Sequence, residues 1–456
     1  MASDDHTRFT IIGGGLAGAL MATYLGRAGY DVDVYERRPD PTGDKVVGGR
    51  SINLAISVRG IHALQEVGLA DEILNRAIPM RGRMIHSRGG RVSFQPYGRD
   101  KTQAINSVSR AGLNLTLLQA ARKHPNVRVH FDQRCQDVDL DKPSASLINV
   151  VTGERQTVEG DILIGADGAF STVRGAMQRL DRFNYRQDYL EHGYKELTIP
   201  PGPDGRFLLE PNALHIWPRR SFMMIALPNH DRSFTCTLFW PFEGPNSFHA
   251  LQSDDDIERF FSEEFRDAVL LMPTLAQDFQ RNPVGSLVTV RCSPWSYCDK
   301  VVLLGDACHA VVPFYGQGMN AAFEDCTVLN QCISTYAPDW RRTFSVYDAL
   351  RKTHVDALAD LAIGNFLEMR DRTNSTTFRI QKKVERTLHR LLPFWFLPLY
   401  SMVTFSRIPY AEAVSRAKRQ YKVITAMCLA VLVILVLAAG AAWWRTNGAQ
   451  PMASRL

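Results

Sequence analysis

Metal-ligand and disulfide patterns are missing from this chain of 456 residues. Its eight cysteines form no CxxC pair, and Cys292 and Cys298 stand too far apart for a zinc knuckle. The histidines show no convincing ligand spacing with carboxylates either. We therefore predict no metal site. The scattered cysteines favour a reducing compartment, in which they act as small apolar residues.

Sequence features of several other protein classes are also absent. No long basic block with interleaved aromatic residues occurs, and the net charge is a modest +6, so no nucleic-acid partner is expected. No internal repeat or low-complexity segment interrupts the chain. Residues 1–6 are acidic and polar, unlike a transit peptide or a secretory signal. We expect two domains plus extra segments, with the body of the protein facing the cytosol.

One long stretch near the end of the chain carries no charge, namely residues 423–444. As a helix it would be about 33 Å long, which is enough to cross a bilayer. Basic residues precede it and tryptophans close it, as interfacial anchors do: Arg416, Lys418, Arg419, Lys422, Trp443 and Trp444. The pattern predicts a transmembrane tail anchor; the alternative is a buried core helix.

The N-terminal region has the pattern of a dinucleotide-binding turn. A short apolar strand at residues 9–12 runs into Gly13, Gly15 and Gly18, and an alanine- and leucine-rich helix follows. Glu36 ends the next apolar strand, 23 residues after the first glycine. Such glycines let the backbone approach a pyrophosphate, while the acid binds ribose hydroxyls.

Two further strand ends carry polar motifs of different design. A buried strand at 161–165 ends in Asp167 and Gly168, just before a helix start. A second apolar strand, at 302–304, ends in Gly305 and Asp306, and a Gly-Gln-Gly loop then opens a helix at Met319. We expect Asp306 to accept hydrogen bonds from a sugar alcohol. We also expect the backbone of Gly318, Met319 and Asn320 to face a planar electron-accepting ring. Together with the first motif, these sites predict FAD, and no second GxGxxG occurs for a separate nicotinamide domain.

The periodicity divides the chain into interleaved parts. The fold class predicted is α/β: a Rossmann-like FAD-binding domain interleaved with an antiparallel-sheet substrate domain, followed by C-terminal helices and a transmembrane helix. The FAD-binding domain is assigned to 1–77, 101–180 and 296–370, and the substrate domain to a hairpin at 78–100 and a sheet at 181–295. The helical C-terminal region is assigned to 371–420 and the anchor to 423–444. Four strands are predicted between 205 and 240, the first at 207–210.

The predicted hairpin permits a geometric argument about Arg83 and Tyr97. With a three-residue loop at 89–91, paired positions sum to 180, so Arg83 faces Tyr97 directly and on the same side. A two-residue loop would place them on opposite faces. A guanidinium beside a phenol is a suitable carboxylate clamp. The alternative is a surface arginine on a strand.

These motifs resemble the FAD-dependent aromatic hydroxylases, the class A flavoprotein monooxygenases, and among them the members that hydroxylate L-kynurenine. The likeness covers about residues 9 to 413. The segments that carry it are 49–55, 80–84, 95–100, 192–197, 209–218, 231–235, 316–320 and 400–407. The glycine and Asp-Gly motifs are typical of the whole superfamily, whereas Arg-Gly-Arg-Met at 81–84 and Tyr-Ser-Met-Val-Thr-Phe-Ser-Arg at 400–407 are specific to this group.

The resemblance implies roles for particular residues. Arg83 and Tyr97 would hold the amino-acid carboxylate, with Asn365 and Tyr400 as further contacts and Phe239 against the aromatic ring. The implied FAD contacts include Ala17, Glu36, Arg37, Arg38, Ala55, Arg110, Cys135, Thr172, Asp306, Met319 and Asn320. Two positions depart from the family pattern near the flavin: Tyr315 stands where Phe or His is expected, and Cys308 replaces a small residue. An apolar sheet with Met223, Met224, Phe239 and Trp240 is suited to a dry wall or to an ordinary core.

The implied activity is hydroxylation of L-kynurenine at ring position 3 with NADPH and O₂, through a flavin C4a-hydroperoxide. NADPH is expected as a transient co-substrate, and no protein acid or base is assigned. Two alternatives stay open: a hydroxylase of another carboxylate-bearing aromatic amine, and a membrane-tethered flavoprotein without turnover. The tail fits the mitochondrial outer membrane, with the endoplasmic reticulum as the alternative. The sequence assigns no oligomeric state.

Overall fold

The computed structural model describes residues 7–42, 53–98, 103–367, 385, 387–388 and 395–447. The segments at 49–52 and at 99–100, on which part of the resemblance rests, lie outside the described residues. So does most of the predicted helical region between 371 and 394.

The described residues contain both short buried strands and longer amphipathic ones. In chain order the strands are β1 (Arg8–Ile12), β2 (Asp31–Tyr35), β3 (Leu54–Ile56), β4 (Ile78–Met80), β5 (Gly82–His86), β6 (Val92–Pro96), β7 (Ile105–Val108), β8 (Val127–His130), β9 (Gln133–Asp139), β10 (Ser144–Asn149), β11 (Arg155–Glu159), β12 (Ile162–Gly165), β13 (Asn184–Ile199), β14 (Leu214–Arg219), β15 (Phe222–Pro228), β16 (Phe234–Pro241), β17 (Gly285–Ser293), β18 (Ser296–Tyr297) and β19 (Val301–Leu303).

The helices of the described residues follow the same order. They are α1 (Leu16–Arg27), α2 (Val58–Glu66), α3 (Ala70–Asn75), α4 (Arg110–Arg122), α5 (Thr172–Met177), α6 (Asp254–Glu264), α7 (Arg266–Val269), α8 (Leu275–Arg281), α9 (Asp306–His309), α10 (Gly318–Tyr336), α11 (Trp340–Leu367), α12 (Leu399–Phe405) and α13 (Tyr410–Asn447), with 3₁₀ turns at Phe248–Ala250 and Pro313–Tyr315.

A six-stranded sheet forms the centre of the first domain, in the order β18-β19-β12-β1-β2-β8. Its strands are parallel except for β18 at one edge. The central strands are continuous runs of buried apolar residues, because helices cover both faces of a parallel sheet. The carboxyl ends of β1, β12 and β19 therefore meet at one edge of the sheet, where the glycine motifs follow. Two small antiparallel sheets, β11-β10-β9 and β3-β7-β4, accompany it.

A seven-stranded sheet forms the second domain, in the order β17-β13-β16-β15-β14-β5-β6. It is antiparallel apart from the β14–β5 pair. Side chains alternate along each strand, so the sheet has two distinct faces. One face packs against α6, α7 and α8 in an apolar core. The other, called here the cleft face, contacts residues of the first domain and of α11. The predicted strand at 207–210 is wrong, since these residues form no strand; the three later strands between 205 and 240 are confirmed.

The hairpin of β5 and β6 has a register that differs from the predicted one. Arg83 pairs with Gln95 and not with Tyr97, so paired positions sum to 178. The loop still has three residues, 88–90, because Ser87 and Arg91 continue the pairing. The direct pairing of Arg83 with Tyr97 is therefore wrong. Their placement on one face is confirmed, because a shift of two in the sum preserves the alternation.

A buried ionic cluster joins the first domain to the C-terminal helix. Arg59 of α2 pairs with Glu324 of α10, donates to the carbonyl of Ile408, and lies 4.0 Å over the ring of Tyr410. Arg351 of α11 bridges to the same Glu324 at 2.6 Å. Beyond this base the helix leaves the body, and from residue 425 to 445 its side chains are exposed.

Candidate functional site

The glycine turn after β1 is packed tightly on one side and open on the other. Gly13 has a φ of +105°, and a Cβ there would lie 2.5 Å from the carbonyl oxygen of Ala166. A Cβ on Gly18 would lie 1.9 Å from the carbonyl oxygen of Gly13. In contrast, no atom lies within 4 Å of a Cβ built on Gly15, at the N-cap of α1. No side chain caps this helix, so its first N–H groups face open space, as a pyrophosphate site requires.

Glu36 lies where a ribose acid was predicted, at the end of β2 and against Gly14. Its carboxylate accepts hydrogen bonds of 2.9 Å from both the backbone N–H and the Nε of Arg38. Burial opposes the negative charge, but the bonds from Arg38 hold the pKa of Glu36 below its usual value. Arg37 beside it is exposed. The acid is therefore ionised and oriented toward the glycine turn.

The turn after β19 brings Asp306 to the same edge of the sheet. Gly305 has a φ of +62°, and its position faces Ala17 of α1 and Ala322 of α10. Asp306 is exposed and makes no hydrogen bond or ion pair with any described residue. A solvent-facing carboxylate between two helix starts is suited to accept bonds from ligand hydroxyls.

The start of α10 offers free donors beside this turn. The backbone N–H groups of Gly318, Met319 and Asn320 bond to no described residue, and no side chain caps the helix. The side chain of Asn320 is occupied: its Oδ1 accepts from the Ser57 N–H at 2.8 Å, and its Nδ2 donates to the Ala55 carbonyl at 2.9 Å. The side chain of Asn320 therefore fixes the start of α10 to β3, and only its backbone is left for a ligand.

The Asp-Gly motif after β12 has a carboxylate that is occupied within the protein. Asp167 accepts from the Ser171 hydroxyl at 2.5 Å and from the Thr172 N–H at 2.6 Å, so its carboxylate caps α5. Burial raises the pKa of Asp167. Cys135 lies next to this cap, where burial raises the pKa of its thiol to about 12. Arg110, at the start of α4, is exposed. Their FAD contacts stay predictions.

These features fit FAD on structural grounds. The open space at Gly15, the unpaired Asp306 and the free N–H groups of α10 lie along one edge of the parallel sheet. They match the three chemical parts of the cofactor: a pyrophosphate, a sugar-alcohol chain and an electron-rich ring edge.

Arg83 projects from the cleft face of the second sheet toward two tyrosines. Its guanidinium carbon lies 4.7 Å from the Tyr400 ring centre and 5.5 Å from that of Tyr97, and the two rings stack at 5.4 Å. The Arg83 Nε and the Tyr97 hydroxyl are shielded from solvent and have no hydrogen-bond partner among the described residues. Burial raises the pKa of Tyr97 well above its usual value, so its hydroxyl stays a donor.

Phe239 lies on the same face, three strands away from β5. Its ring is 4.9 Å from Phe314, and Phe314 in turn stacks on Phe366 at 4.5 Å. Asn365 donates from Nδ2 to the Phe314 carbonyl at 2.7 Å, so it positions this turn. Phe239 and Asn365 therefore both contact the segment 313–318, which is called here the flavin loop.

The methionine- and aromatic-rich wall divides between the two faces of the sheet. Met223 and Phe239 belong to the cleft-face cluster, whereas Met224 and Trp240 are packed among the helices on the other face. The dry-wall interpretation is therefore wrong for Met224 and Trp240, and it stays a prediction for Met223 and Phe239. The split follows from the strand period of two, which places neighbouring residues on opposite sides.

Several cleft residues were not singled out from the sequence. Phe405 lies 6.1 Å from Tyr97 and 6.2 Å from Tyr400, and Ile225 contacts both apolar clusters of the cleft face. The alternation along β15 could have indicated Ile225. Nothing local indicates Phe314, because it lies in a turn.

The two positions that depart from the family pattern have ordinary packing. Cys308 is buried and donates to the Gly305 carbonyl at 3.2 Å. The Tyr315 ring lies 5.7 Å from that of Tyr400, so the loop residue touches the same aromatic group as Arg83.

Among the described residues, Cys308, His309 and Asp325 have potential metal-ligand atoms within 4.8 Å of one another. Apart from the His309 Nδ1, their atoms already have other partners. His309 Nε2 shares a 2.5 Å hydrogen bond with Asp325, and Arg351 donates to the other oxygen of that carboxylate at 2.7 Å. Burial raises the pKa of the Cys308 thiol well above its usual value. The group is accounted for by an ionic cluster, and the absence of a metal stays a prediction.

Comparisons with known proteins agree with this geometry. The family model described as "FAD binding domain" matches residues 6–362. Kynurenine 3-monooxygenase of Myxococcus xanthus is 49% identical over 404 residues, covering 89% of this chain and 87% of that protein. The protein of the same name from Salinispora tropica is 47% identical over 438 residues, covering 95% and 96%. A tetrameric form of 2-methyl-3-hydroxypyridine-5-carboxylic acid oxygenase has the same fold, with a TM-score of 0.66 at 20% identity over 81% of this chain and 94% of that one.

Proposed function

Because the chain belongs to the kynurenine 3-monooxygenase family of FAD-binding hydroxylases, we propose that it hydroxylates L-kynurenine to 3-hydroxy-L-kynurenine with NADPH and O₂. The enzyme is an FAD-dependent aromatic monooxygenase. Reduced FAD, when bound, supplies the activation of O₂ that delivers one oxygen atom to the substrate ring. The protein residues bind, orient and shield the reactants.

The observation that carries the substrate assignment is the environment of Arg83. A guanidinium is charged at every physiological pH, and this one has no carboxylate partner among the described residues. Arg83 is half-buried and its Nε is shielded from solvent, so a ligand carboxylate would offset the cost of removing this charge from water. The Tyr97 hydroxyl beside it adds one donor. The amino-acid end of kynurenine supplies such a carboxylate, and its aniline ring would extend along the cleft face toward Phe239.

The cofactor residues would act through fixed donors and acceptors. Asp306 would accept from the ribityl hydroxyls, and the N–H groups of Gly318 and Met319 would stabilise negative charge on the reduced ring. The open space at Gly15 would hold the pyrophosphate, with Glu36 and Arg38 at the ribose. Cys135, Thr172, Arg110, Arg37 and Asp167 would border the same cofactor. No acid or base is required, because the substrate amino group already activates the ring.

Water exclusion is the other contribution of the protein. The cleft face presents Met223, Ile225 and Phe239, and the turn above it presents Phe314, so the chamber wall is apolar. A dry site keeps the activated oxygen from being lost as H₂O₂. The parts of the chain at 1–77, 101–180 and 296–370 would form the cofactor domain, and those at 78–100 and 181–295 the substrate domain.

Anaerobic stopped-flow reduction by NADPH, with and without L-kynurenine, tests the proposal. We expect L-kynurenine to accelerate flavin reduction strongly. Acceleration by a different carboxylate-bearing aromatic amine, with no effect of L-kynurenine, would support a related hydroxylase. A yellow protein that consumes no NADPH with any of these compounds would support the non-catalytic alternative.

We also propose that α13 inserts its exposed apolar part into a membrane, with the catalytic body in the cytosol. Residues Tyr410–Arg445 are long and apolar enough to span a bilayer, and the most apolar window is not buried. The basic residues before the apolar part favour a cytosolic body. The membrane we propose is the mitochondrial outer membrane, with the endoplasmic reticulum as the alternative. Fractionation of cells that express the full chain would distinguish the two.

A further inference from the structure

The first half of β13 is an open edge of the second sheet, and it carries exposed aromatic side chains. These residues pair with β17 on one side, whereas β16 pairs with β13 only from His192 onward. Tyr185 is 37% exposed and Tyr189 is 54% exposed. The Tyr185 hydroxyl donates to the Gln187 Oε1 at 2.7 Å, and the Gln187 Nε2 donates to the Tyr189 hydroxyl at 2.9 Å. These three side chains, called here the tyrosine ladder, therefore hold one another in place on one side of the strand.

One end of the tyrosine ladder is attached to two of the cofactor motifs. The guanidinium carbon of Arg174 lies 5.0 Å from the centre of the Tyr185 ring. Arg174 is buried, and its Nη1 donates to the carbonyl of Ala307, the residue after Asp306, at 2.7 Å. Its Nη2 donates at 2.7 Å to the carbonyl of Ala169 in the Asp-Gly turn. The guanidinium therefore fixes one side of the Tyr185 ring, and the exposed part is left for a planar ligand.

The other end of the tyrosine ladder leads to the cleft. Leu190 comes directly after the ladder, and it packs with Tyr194 into the cleft-face cluster that contains Phe314 of the flavin loop. At about 3.3 Å per residue, the ladder extends over about 13 Å between Tyr185 and Tyr189. A ligand stretched along the ladder would therefore have one end at the flavin loop and the other at the start of β13.

An arginine without an acidic partner lies at the start of β13. Arg182, three residues before the ladder, is exposed and has a φ of +62°, a conformation that arginine rarely adopts. It forms no ion pair within the part of the chain that the structure describes. In contrast, Arg179 pairs with Asp137 at 2.6 Å. Arg186 pairs with Asp188 at 2.7 Å, on the face of β13 opposite the ladder. Arg182 is therefore available to bind an anion such as a phosphate.

We propose that the tyrosine ladder and Arg182 form the docking site of NADPH. The adenine ring stacks on Tyr185, because a purine has a flat face that suits an aromatic side chain. The 2′-phosphate binds Arg182 through charge-assisted hydrogen bonds. The nicotinamide end extends past Tyr189 toward the flavin loop. The inference deepens the proposed function and rests on it, since it needs NADPH to be the co-substrate.

The test measures binding of 2′,5′-ADP, the 2′-phosphorylated adenosine half of NADPH, and of 5′-AMP, which lacks the 2′-phosphate. Both are titrated into the oxidised full-length holoenzyme by isothermal titration calorimetry. In Arg182→Met we expect Kd for 2′,5′-ADP to rise about tenfold or more, the factor for one charge-assisted hydrogen bond, and Kd for 5′-AMP to stay unchanged.

Tyr185→Ala tests the stacking independently. We expect it to raise Kd for both nucleotides about five- to 100-fold, the range for one stacked base, whereas Tyr185→Phe should keep the wild-type values. Flavin absorbance shows whether each variant retains FAD. If Tyr185→Ala loses FAD, Arg182→Met decides alone, because Arg182 lies in an exposed turn.

Arg220→Met is the matched control for Arg182→Met. Arg220 is also exposed, with a φ of +58°, but it lies in the turn between β14 and β15. It should leave both Kd values unchanged. Unchanged binding of 2′,5′-ADP in Arg182→Met, or an equal loss in Arg220→Met, would overturn the inference and leave the proposed function intact. A wild-type enzyme that NADPH does not reduce, with or without L-kynurenine, would instead reject the proposed function.

Discussion

At the scale of single residues, Arg83 is the side chain that we propose to bind the substrate carboxylate. Its guanidinium lies beside the two stacked tyrosine rings and has no carboxylate partner among the described residues. We expect Arg83→Met to raise KM for L-kynurenine by the loss of a charge-assisted pair, about 2–5 kcal/mol or about 30-fold at the least. Steady-state kinetics give KM, and the absorbance ratio gives flavin content, which should not change.

Arg91→Met is the control for Arg83→Met, since Arg91 is an exposed residue at the end of the same hairpin loop. It should leave KM unchanged. A wild-type KM in Arg83→Met would mean that Arg83 does not bind the substrate. A loss of flavin would mean that Arg83 has a structural role.

Gly15 permits a second test at this scale, on the cofactor. A Cβ there meets no atom within 4 Å, and its φ of −70° suits any residue. We therefore expect Gly15→Ala to leave the thermal midpoint of the FAD-free protein unchanged. FAD affinity should fall by about 1–3 kcal/mol, the cost of overpacking, because the methyl group fills the space for the pyrophosphate. An FAD titration followed by fluorescence measures this loss.

Substitutions of two other glycines are the controls for Gly15→Ala. A Cβ on Gly175, in α5, also meets open space, so Gly175→Ala should change neither the thermal midpoint nor the FAD affinity. Gly18→Ala should destabilise the protein itself, because its Cβ would lie 1.9 Å from a carbonyl oxygen. Unchanged FAD affinity in Gly15→Ala would mean that the pyrophosphate does not bind next to Gly15.

The motifs of the cofactor site were predictable from the sequence, but the hydrogen-bond partners of the individual side chains were not. Strand, glycine turn and helix follow from local patterns, so Gly13, Gly18 and Gly305 were predictable as backbone positions. Asp167 and Asn320 have side chains occupied by Ser171 and by Ser57. Those bonds depend on distant or non-helical neighbours, which a pattern along the chain does not contain.

At the scale of elements, the hairpin shows what periodicity can and cannot decide. Alternation predicts that Arg83 and Tyr97 share a face, and they do, because the observed register differs from the predicted one by two in its sum. The exact partner depends on where the turn closes. Arg88, Gly89, Gly90 and Arg91 are all compatible with a three-residue loop, so the sequence leaves two positions open.

His215 makes the packing of the second sheet on α7 sensitive to acid. Its pKa is lowered to about 4 by burial, whereas in the unfolded chain it is the ordinary 6.5. As the pH falls below 6.5 the unfolded state binds the proton first, so the free energy of unfolding decreases down to about pH 4. The full effect is about 3 kcal/mol, from 1.36 kcal/mol for each pKa unit.

We expect His215→Gln to lose this part of the pH dependence. Urea unfolding at pH 7 and at pH 5 measures the difference in free energy for each protein. The control is His249→Gln, since the His249 ring is exposed and should leave the wild-type slope in place. The same slope in His215→Gln would mean that other groups bind the protons.

At the scale of the whole molecule, the interleaving of the two domains was predictable from the sequence. Which face of the second sheet lies against the cleft, and which against the helices, was not. The hydrophobic period changes from that of a helix to that of a strand near residue 82 and again after residue 184. At these two points the chain passes from the first domain into the second. Met223 and Met224 are both buried, and sequence alone cannot tell the cleft from the helical core. The difference depends on what covers each face, namely α6–α8 on one side and the flavin loop on the other.

The base of the C-terminal helix belongs to the fold, whereas its exposed part is the membrane anchor that we propose, and truncation separates the two. Its base is part of the fold, since Tyr410, Ala413 and Ala417 are buried at helical spacing. Beyond residue 424 all described side chains are exposed and apolar ones dominate, for example Leu432 at 56% and Leu435 at 61%. We expect deletion of 423–456 to move the protein from the membrane pellet to the supernatant, with flavin content unchanged.

A cut at residue 409 is the companion to this truncation. It removes the Tyr410 ring that lies over Arg59, and with it the hydroxyl that bonds to Gln317 of the flavin loop at 3.3 Å. We therefore expect this shorter protein to lose FAD or to aggregate, whereas the cut at 423 does neither. Ultracentrifugation and flavin absorbance measure both proteins. If the protein cut at 423 still sediments with membranes, α13 is not the anchor; if it loses FAD, the exposed part of the helix also stabilises the catalytic body.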